Sequence, residues 1–490
     1  SSAASDVYKR QTQMTAYSVS RMMRQIKRLT VDRAIKSGFD DESVYKQDTG
    51  IVMDEDDVQL FHTLSDKLSE QKAAKKETKV HINHQGLTGE EYEKADKISN
   101  KPKRERSKED EELLKKLQDQ RKERDKVIRL LRNVSIRLPL LIYGAKVDLT
   151  ESIKMADFIT LVDEESWQEF MPKTVDKSLF RKLLKYYDED VVSGAGLRIR
   201  RMAKAADELP PTERVKRIAE IFSHFRNPDK ETVLTPWRVV NLHLSNMVGG
   251  YCFLNEQFDS QEVLEEPRLV DQGQVTEDIF LNPEARILEM NSKSGLYPLY
   301  MAYSLYAMKL PGPEDKLPLE QTQALWQETV EQQIFVLCKT RMAESITRRT
   351  LVGYQDWTVN TTYIPHLLER MEKDPQRLAK KLQRTDTWGK EGQPMKFDAI
   401  VGNPPYQLET SGDSRQAVPI YDLFVNTAKL VEPHYLSMIM PSRWFAGGMG
   451  LDDFRNDMMH DHRIVKLVDY TNAKECFPQI SISGGICYFL

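Results

Sequence analysis

The residues with the clearest chemical potential are 403–406, an Asn-Pro-Pro-Tyr turn that directly follows the apolar run FDAIVG. Proline lacks a backbone N–H and has a fixed φ, so two in succession end a strand and force a rigid, extended turn. The strand is therefore predicted to end at Gly402. Chance would place such a string at roughly one position in 10⁵. With the turn at the lip of a sheet, the amide of Asn403 and the carbonyl of Pro404 would face a shared crevice, which predicts a binding site.

A second polar turn lies in RILEMNSKSGLYPLYMA, residues 286–302. A strand carries an acid at its end, Glu289, and a small polar turn with one glycine, Gly295, leads into a helix. As a nucleotide-binding turn this pattern is weak, because such turns usually contain several glycines. Ligands of open α/β sheets bind beyond the carboxyl ends of the strands. The two turns are therefore predicted to share one crevice.

The elements that must position these turns begin near residue 228, where short β-branched runs alternate with helical stretches. This alternation predicts an α/β fold with a parallel sheet. The predicted strands are 286–291, 334–339, 397–403, 435–441, 464–470 and 486–490. The predicted helices are 235–247, 296–308, 319–331, 363–382, 418–431 and 450–460.

Upstream of this segment the sequence is helical in pattern. Residues 12–137 are polar and charge-dense and predict a long solvated helix or helical hairpin, whose basic cluster, 101–106, either contacts phosphate or is a solvated face, which we favour. Residues 138–228 have the apolar spacing of packed amphipathic helices. Four aromatic residues of this segment are predicted to lie in its core: Trp167, Phe170, Phe180 and Tyr186.

Composition limits the function classes. The 490 residues are enough for about two or three domains. A formal net charge of -4 gives no overall basic field, so any nucleic-acid contact must come from local patches. The scattered cysteines argue against a zinc site and a disulfide scaffold, and a reducing cytoplasm fits best. No stretch approaches the apolar length of a membrane span. The cysteines are Cys252, Cys338, Cys476 and Cys487.

Both ends of the chain are expected to be cut. The first eleven residues, SSAASDVYKRQ, resemble a translated sequencing adapter, and we exclude 1–11 from the fold prediction. The last residues, GGICYFL, stop inside a predicted strand. The chain is therefore expected to be a fragment of a longer protein.

Taken in order, these motifs resemble a known family. Residues 229–490 resemble the catalytic domain of the gamma-type N6-adenine DNA methyltransferases of restriction-modification and phage-defence systems. The segment LTPWRVV resembles the Thr-Pro element before the cofactor strand, ILEMNSKSG the cofactor loop, and VGNPPYQ the catalytic signature. The resemblance implies a Rossmann-like class I methyltransferase fold, an α/β doubly wound sheet preceded by a mostly helical region.

A weaker similarity, based on pattern alone, relates residues 138–228 to the helical tail that follows the helicase motor of large single-chain restriction enzymes. The sequence contains no GxxxxGK[ST] phosphate loop. The resemblance therefore implies helicase and nuclease parts further upstream in the full-length chain, and double-stranded DNA as the partner.

The resemblance also implies the catalytic roles. The Asn403 side-chain oxygen and the Pro404 carbonyl would accept the two N–H bonds of adenine N6, which favours a more tetrahedral nitrogen with electron density available for attack. Pro405 completes the rigid corner. Tyr406 would stack on the adenine after it leaves the duplex. The methyl group would come from S-adenosylmethionine.

The same resemblance implies a cofactor site. Glu289 would lie near the methionine end of S-adenosylmethionine, above a turn made of Asn291, Ser292, Ser294 and Gly295. Thr235 and Pro236 are expected to begin a helix, with Thr235 as the N-cap and Pro236 as the first helical residue. The pair would either contact the cofactor or have a purely structural role, and we favour neither alternative.

Two departures from the family pattern concern this cofactor site. Met290 and Lys293 stand where the family has a proline and a first glycine. The second strand ends in Cys338, Lys339 and Thr340 instead of the acid that binds the ribose hydroxyls, and Glu344 is one alternative for that contact.

Other interpretations stay open. Arg443 and Trp444, in IMPSRWFAGG, would either line the base pocket and meet phosphate or simply pack. The glycine-poor loop favours a degenerate methyltransferase-like module that only binds DNA or acts as a scaffold. A third alternative is an N-methyltransferase that acts on RNA or on a protein amide, since Asn-Pro-Pro-Tyr turns also serve such enzymes.

Overall fold

The computed structural model describes residues 97–98, 105–115, 134, 137–147, 154–184, 189–223, 225, 234–259, 263–408, 418–477, 482 and 484–490. Most of the charge-dense region predicted at 12–137 and most of the basic cluster lie outside these residues. By contacts the chain divides into two units. The first draws on Ser1–Ile142, Val147–Leu161 and Met171–Arg200, and the second on Tyr143–Lys146, Val162–Phe170 and Arg201–Leu490.

The helices upstream of the sheet have buried apolar faces. In the first unit the rings of Phe158 and Phe180 lie 6.3 Å apart between centroids. In the second unit Trp167 and Phe170 are buried. Burial of these three predicted core aromatics is confirmed, and Tyr186 lies outside the described residues. These helices are α1 (Leu138–Gly144), α2 (Met155–Leu161), α3 (Glu164–Phe170), α4 (Lys177–Leu183), α5 (Glu189–Ala206) and α6 (Pro211–Ser223).

The second unit contains the strands. Two small antiparallel pairs are β1 (Gly250–Leu254) with β2 (Val263–Val270), and β7 (Gln407–Leu408) with β8 (Val418–Pro419). Within the described ranges, the main sheet has seven strands. They are β3 (Ile287–Ser292), β4 (Ile334–Cys338), β5 (Asn360–Tyr363), β6 (Ala399–Gly402), β9 (Tyr435–Pro441), β10 (Leu467–Tyr470) and β11 (Ile486–Phe489).

The strand order in the main sheet is β10-β11-β9-β6-β3-β4-β5. Strands β5, β4, β3, β6 and β9 are parallel, and β11 runs antiparallel to both of its neighbours. From β3 the chain passes to β4 and β5 on one side and then crosses to β6 on the other. The order therefore reverses between β3 and β6, and such a switch point opens a crevice at the carboxyl ends of the strands.

Helices cover both faces of this sheet. Leu288 and Met290 of β3 belong to a hydrophobic cluster with residues of α11 to α14. Alternation along the strand turns Ile287 and Glu289 to the opposite face, where α8 contacts β3. The predicted α/β class and Rossmann-like doubly wound sheet are confirmed. The helices are α7 (Trp237–Met247), α8 (Leu296–Lys309), α9 (Leu319–Gln333), α10 (Arg341–Val352), α11 (Leu367–Lys373), α12 (Pro375–Leu382), α13 (Tyr421–Val431) and α14 (Asp452–Met459).

The single helix predicted over 363–382 is wrong. Tyr363 ends the edge strand β5, and two short helices follow. The second helix has its own start, because the Asp374 side chain accepts a hydrogen bond from the Arg377 N–H at 3.0 Å and Pro375 occupies the first helical turn. The polar strand β5 has the sequence NTTY, which lacks the apolar run that marks the central strands.

The glycine that caps α10 gives a first testable prediction. Gly353 has φ +64, and a Cβ there would lie 1.7 Å from Oδ1 of buried Asp207. That carboxylate accepts hydrogen bonds from the Tyr354 N–H and from Nε of Arg214. We expect Gly353→Ala to lower the free energy of unfolding by about 3 kcal/mol, because the added methyl displaces a buried ion pair. Urea unfolding measures the loss.

The matched control is Gly389→Ala. Gly389 also has a positive φ, +76, but no atom lies within 4 Å of the added Cβ. It should lose only about 1 kcal/mol, the cost of the left-handed backbone alone. Equal losses in the two variants would contradict the role given to the Asp207 carboxylate.

Candidate active site

The acid Glu289 lies inside β3 and is buried, and no cation of the described residues contributes to its pKa. Glu289 is 5% exposed, and its Oε2 has no hydrogen-bond partner. Burial raises the pKa of this carboxyl to about 8, and the Ser292 side chain opposes the shift. No cation of the described residues takes part in that shift. Glu289 is therefore neutral near pH 7 and is able to ionise when a cationic group arrives.

The end of β3 reaches across to the Asn-Pro-Pro-Tyr turn. Asn291 has a left-handed backbone, φ +76, and its Nδ2 donates to the backbone carbonyl of Asn403 at 3.4 Å. Its Oδ1 is buried without a partner. The two turns that the sequence analysis placed in one crevice are thus in direct contact.

Gly295 closes the turn against α10. It has φ +78, and a Cβ there would lie 2.9 Å from the Thr350 Cβ and 3.0 Å from the Thr347 Cα. Only glycine combines this backbone conformation with so close an approach. The single glycine of the loop is therefore needed at this position.

Ser292, the last residue of β3, and Ser294, in the turn that follows, have partners within the protein. Ser292 Oγ hydrogen-bonds Thr347 Oγ1 at 2.9 Å and accepts the Gly295 N–H at 3.1 Å. Ser294 Oγ accepts the Leu296 N–H at 3.3 Å, and its carbonyl accepts the Thr350 hydroxyl at 2.6 Å. Sequence reasoning missed the two threonines, although their spacing of three residues puts them on one helix face.

The strand before the Asn-Pro-Pro-Tyr turn ends at Gly402, as predicted. A Cβ on Gly402 would lie 2.8 Å from the backbone oxygen of Met290. Glycine at this position allows β6 and β3 to approach closely where both strands end. That approach puts the turn after β6 beside the turn after β3.

Asn403 presents a free oxygen. Its Nδ2 donates to Thr235 Oγ1 at 2.8 Å, while its Oδ1 is buried without a partner. Of the two prolines that follow, Pro404 is buried and Pro405 is half-buried. The amide thus has its donor end bound to the protein and its acceptor end available.

Tyr406 is half-buried and its hydroxyl is buried without a hydrogen-bond partner. Burial raises the pKa of this phenol well above its ordinary value, while the nearby Asn403 side chain acts to lower it. The geometry between the two groups falls short of a hydrogen bond. The Tyr406 hydroxyl therefore stays protonated and is able to donate a hydrogen bond.

The helix start predicted at Thr235 and Pro236 is displaced by one residue. Helix α7 begins at Trp237, and Pro236 occupies the N-cap position with ψ 148 and no side-chain cap bond. Thr235 lies before the cap and is 8% exposed. Its hydroxyl does not cap the helix, because it bonds Asn403 instead.

Three further residues were considered in the sequence analysis: Trp444, Arg443 and Glu344. Trp444 is 1% exposed and donates its indole N–H to Cys487 Sγ at 3.4 Å, so it packs in the core, while Arg443 is exposed. The Glu344 carboxylate accepts from the Thr361 hydroxyl at 3.2 Å, towards β5.

An unexpected acid stands just beyond the end of β4. Glu169 of α3 accepts a hydrogen bond from the Thr340 hydroxyl at 2.5 Å. Sequence reasoning had no signal for it, because α3 lies far upstream of the motifs. Strand β4 has no acidic residue at its own carboxyl end, and Glu169 of α3 places a carboxylate there.

The buried polar atoms without partners define what the crevice can bind. Buried oxygens are nearly always hydrogen-bonded in folded proteins. Here the Glu289, Asn291 and Asn403 side chains each keep a free acceptor. Together they suit a ligand that carries a positive charge and several N–H or O–H donors.

Metal-binding clusters and membrane-spanning helices are absent from the part of the chain that the structure describes. Residues with coordinates in the described ranges include no group of three or more His, Cys, Asp or Glu able to hold a metal ion. All four cysteines are buried and free. The helices in those ranges are too short or too polar for any of them to cross a membrane.

Known proteins resemble parts of this chain. A stretch of 99 residues is 39% identical to an uncharacterized adenine-specific methylase of Mycoplasma pneumoniae. The match covers 20% of this chain and 24% of that protein. The chain therefore spans about a quarter of the curated relative that it matches.

Two solved restriction-modification proteins align with much of this chain at low identity. A chain of a type I restriction-modification system aligns with 84% of this chain and 74% of its own length, at 10% identity and a TM-score of 0.38. A type I restriction-modification methyltransferase subunit from Streptococcus thermophilus aligns with 98% of this chain and 83% of its own length, at 11% identity and a TM-score of 0.31. TM-scores this low carry no weight, so the fold assignment rests on the strand order given above.

The family comparison covers the site itself. Residues 332–477 match the family described as Eco57I restriction-modification methylase. This range runs from the start of β4 to beyond β10 and includes the Asn-Pro-Pro-Tyr turn. The predicted resemblance to a restriction-modification methyltransferase is confirmed for this part of the chain. Over residues 332–477 this chain is thus similar to the Eco57I restriction-modification methylases.

Proposed function

We propose that this chain transfers a methyl group from S-adenosylmethionine to N6 of adenine in double-stranded DNA, as part of a restriction-modification system. One observation carries the proposal: Oδ1 of Asn403 is buried and unpartnered, in a residue whose backbone carbonyl accepts a hydrogen bond from Asn291 of β3. The adenine-specific relative and the methylase family support the same reaction.

The crevice suits S-adenosylmethionine. The unpartnered Glu289 oxygen would accept the α-ammonium group, and the Asn291 oxygen would accept a further donor. The turn closed by Gly295 would lie beneath the methionine part, as the family resemblance implies. When bound, the cofactor supplies a methyl group on a positively charged sulfur.

The protein's own contribution is to bind and orient the amine. The lone pair of adenine N6 is delocalised into the ring, so the planar amine is a weak nucleophile. Asn403 Oδ1 and the Pro404 carbonyl would accept its two N–H bonds and stabilise the tetrahedral form, in which the lone pair is free to attack. Tyr406 would stack on the base once it has left the duplex. The diproline corner keeps these groups in place before substrate arrives.

Several further features belong to the proposal. Residues 229–490 would form the methyltransferase part and residues 138–228 a helical part that joins upstream helicase or nuclease segments. Thr235 and Pro236 would lie at the cofactor side of the crevice. The cytoplasm would be the compartment, since DNA is the substrate.

The test is transfer of labelled methyl groups by the whole chain. The purified chain is incubated with methyl-labelled S-adenosylmethionine and genomic DNA of mixed sequence that lacks adenine methylation. Nucleoside analysis should find the label in N6-methyl-2′-deoxyadenosine. Label in RNA or in a protein amide would overturn the proposed substrate. Cofactor binding by calorimetry without any transfer would favour the scaffold alternative.

A further inference from the structure

The hydroxyl of Thr235 is bonded to a residue 168 positions away, Asn403. The distance between Nδ2 of Asn403 and Oγ1 of Thr235 is 2.8 Å. Because α7 starts without a side-chain cap, the hydroxyl is not used for helix capping. The contact therefore joins the lead-in to α7 directly to the Asn-Pro-Pro-Tyr turn.

Helix α7 is itself anchored in the core through His243. This residue is 0% exposed, with Nδ1 2.8 Å from the Tyr297 hydroxyl and Nε2 2.9 Å from Ser437 Oγ. Ser437 donates its own proton to the Phe489 carbonyl at 2.6 Å, so it must accept from Nε2. Nδ1 then accepts from Tyr297, and burial lowers the pKa of the imidazole to about 3, which keeps it neutral. Thr235 thus precedes a helix that is held in place by buried hydrogen bonds.

The orientation of the Asn403 amide matters for an amine substrate. A half-turn of the amide would exchange Oδ1 and Nδ2. In that state Nδ2 would face the substrate amine, donor against donor, and no hydrogen bond would form. In the structure Nδ2 donates to Thr235 Oγ1, and this bond fixes the plane of the amide and leaves Oδ1 buried and unpartnered.

We propose that Thr235 is a positioning residue that holds the Asn403 amide with its oxygen towards the substrate amino group, and that it does not bind the cofactor. This inference rests on the proposed methyl transfer. The roles of the two residues differ: Asn403 touches the substrate, and Thr235 acts only through Asn403.

The test compares Thr235→Val, which removes the hydroxyl at nearly constant shape, with Thr235→Ser, which keeps it. We expect Thr235→Val to lower kcat about three- to tenfold, the effect of one lost positioning hydrogen bond. The Kd for S-adenosylmethionine should stay within about twofold of wild type by calorimetry. Thr235→Ser should recover most of kcat.

Three results would overturn the inference. A raised Kd with unchanged kcat in Thr235→Val would make Thr235 a cofactor ligand. If kcat and Kd are both unchanged in Thr235→Val, the Thr235 hydroxyl has no role in positioning Asn403 or in binding the cofactor. Equal losses of kcat in the valine and serine variants would assign the effect to packing of the threonine methyl group.

A second measurement keeps this inference separate from the proposed function. In protein labelled with ¹⁵N-asparagine, the Asn403 side-chain amide signals are identified by their loss in Asn403→Ala. They should shift and exchange faster in Thr235→Val but not in Thr235→Ser. If wild type transfers no methyl group, the proposed function fails, while unchanged amide signals in Thr235→Val refute the positioning contact itself.

Discussion

Replacing Asn403 by alanine is expected to lower the rate of methyl transfer about a hundred- to a thousandfold. The substitution removes a side-chain oxygen that is buried and unpartnered, in the residue whose backbone carbonyl accepts from Asn291. Losses of this size follow the removal of one preorganised hydrogen-bonding group from a site in which charge develops during the reaction. Single-turnover rates with labelled S-adenosylmethionine measure the effect.

The cofactor should still bind Asn403→Ala with little change in Kd. The bond from Asn291 goes to the backbone carbonyl of residue 403, which the substitution keeps. The matched control is Asn456→Ala, because Asn456 is an exposed asparagine of α14 and its loss should leave the rate unchanged. Transfer by Asn403→Ala within about tenfold of wild type would contradict the assigned role.

Wild-type stability is expected to fall as pH rises from about 6.5 to 8, and Glu289→Gln should remove that fall. The folded-state pKa of Glu289 is raised by burial to about 8 from 4.5. Between these values the folded chain holds a proton that the unfolded chain has lost, so this stabilisation is complete below 4.5 and is lost as pH rises through 8. The slope from this one group is about 1.4 kcal/mol per pH unit.

The pH range of this experiment lies above the range in which buried His243 affects stability. The pKa of His243 is shifted in the opposite direction to that of Glu289. The pKa of His243 is lowered to about 3 from 6.5, so its stabilisation is present above 6.5 and is lost as pH falls towards 3. Urea unfolding at intervals from pH 6.5 to 8.5, without cofactor, isolates Glu289 as the difference in slope between wild type and Glu289→Gln, because the buried cysteines, whose pKa values are also raised, contribute equally to both. The control is Glu372→Gln, an exposed carboxyl of α11 whose loss should keep the wild-type slope. An unchanged slope in Glu289→Gln would show that another group titrates.

The same substitution should weaken S-adenosylmethionine binding. The neutral amide cannot provide the negative charge that the α-ammonium group of the proposed cofactor needs in a buried site. We expect the Kd to rise about ten- to a hundredfold by calorimetry, as for the loss of one buried charged partner. Wild-type affinity in Glu289→Gln would separate the acid from the cofactor.

The sequence by itself determined the local parts of this site. The end of β6 at Gly402 follows from two prolines, because each lacks an N–H and restricts the residue before it. The strand, turn and helix around Glu289 and Gly295 follow from a buried run, one glycine and an apolar helix pattern. The α/β class follows from their alternation. All of these depend on residues close together in the chain.

Only the tertiary structure decided which groups meet and which atoms stay free. Thr235 reaches Asn403 across 168 positions, and Glu169 reaches the end of β4 from another helix. The role of the serines in the turn after β3 depends on the threonines of α10. The pKa of Glu289 depends on burial and on the lack of a neighbouring cation. Hydrogen bonds and desolvation depend on which residues are close in space. Local sequence patterns therefore do not predict them when the residues are far apart in the chain.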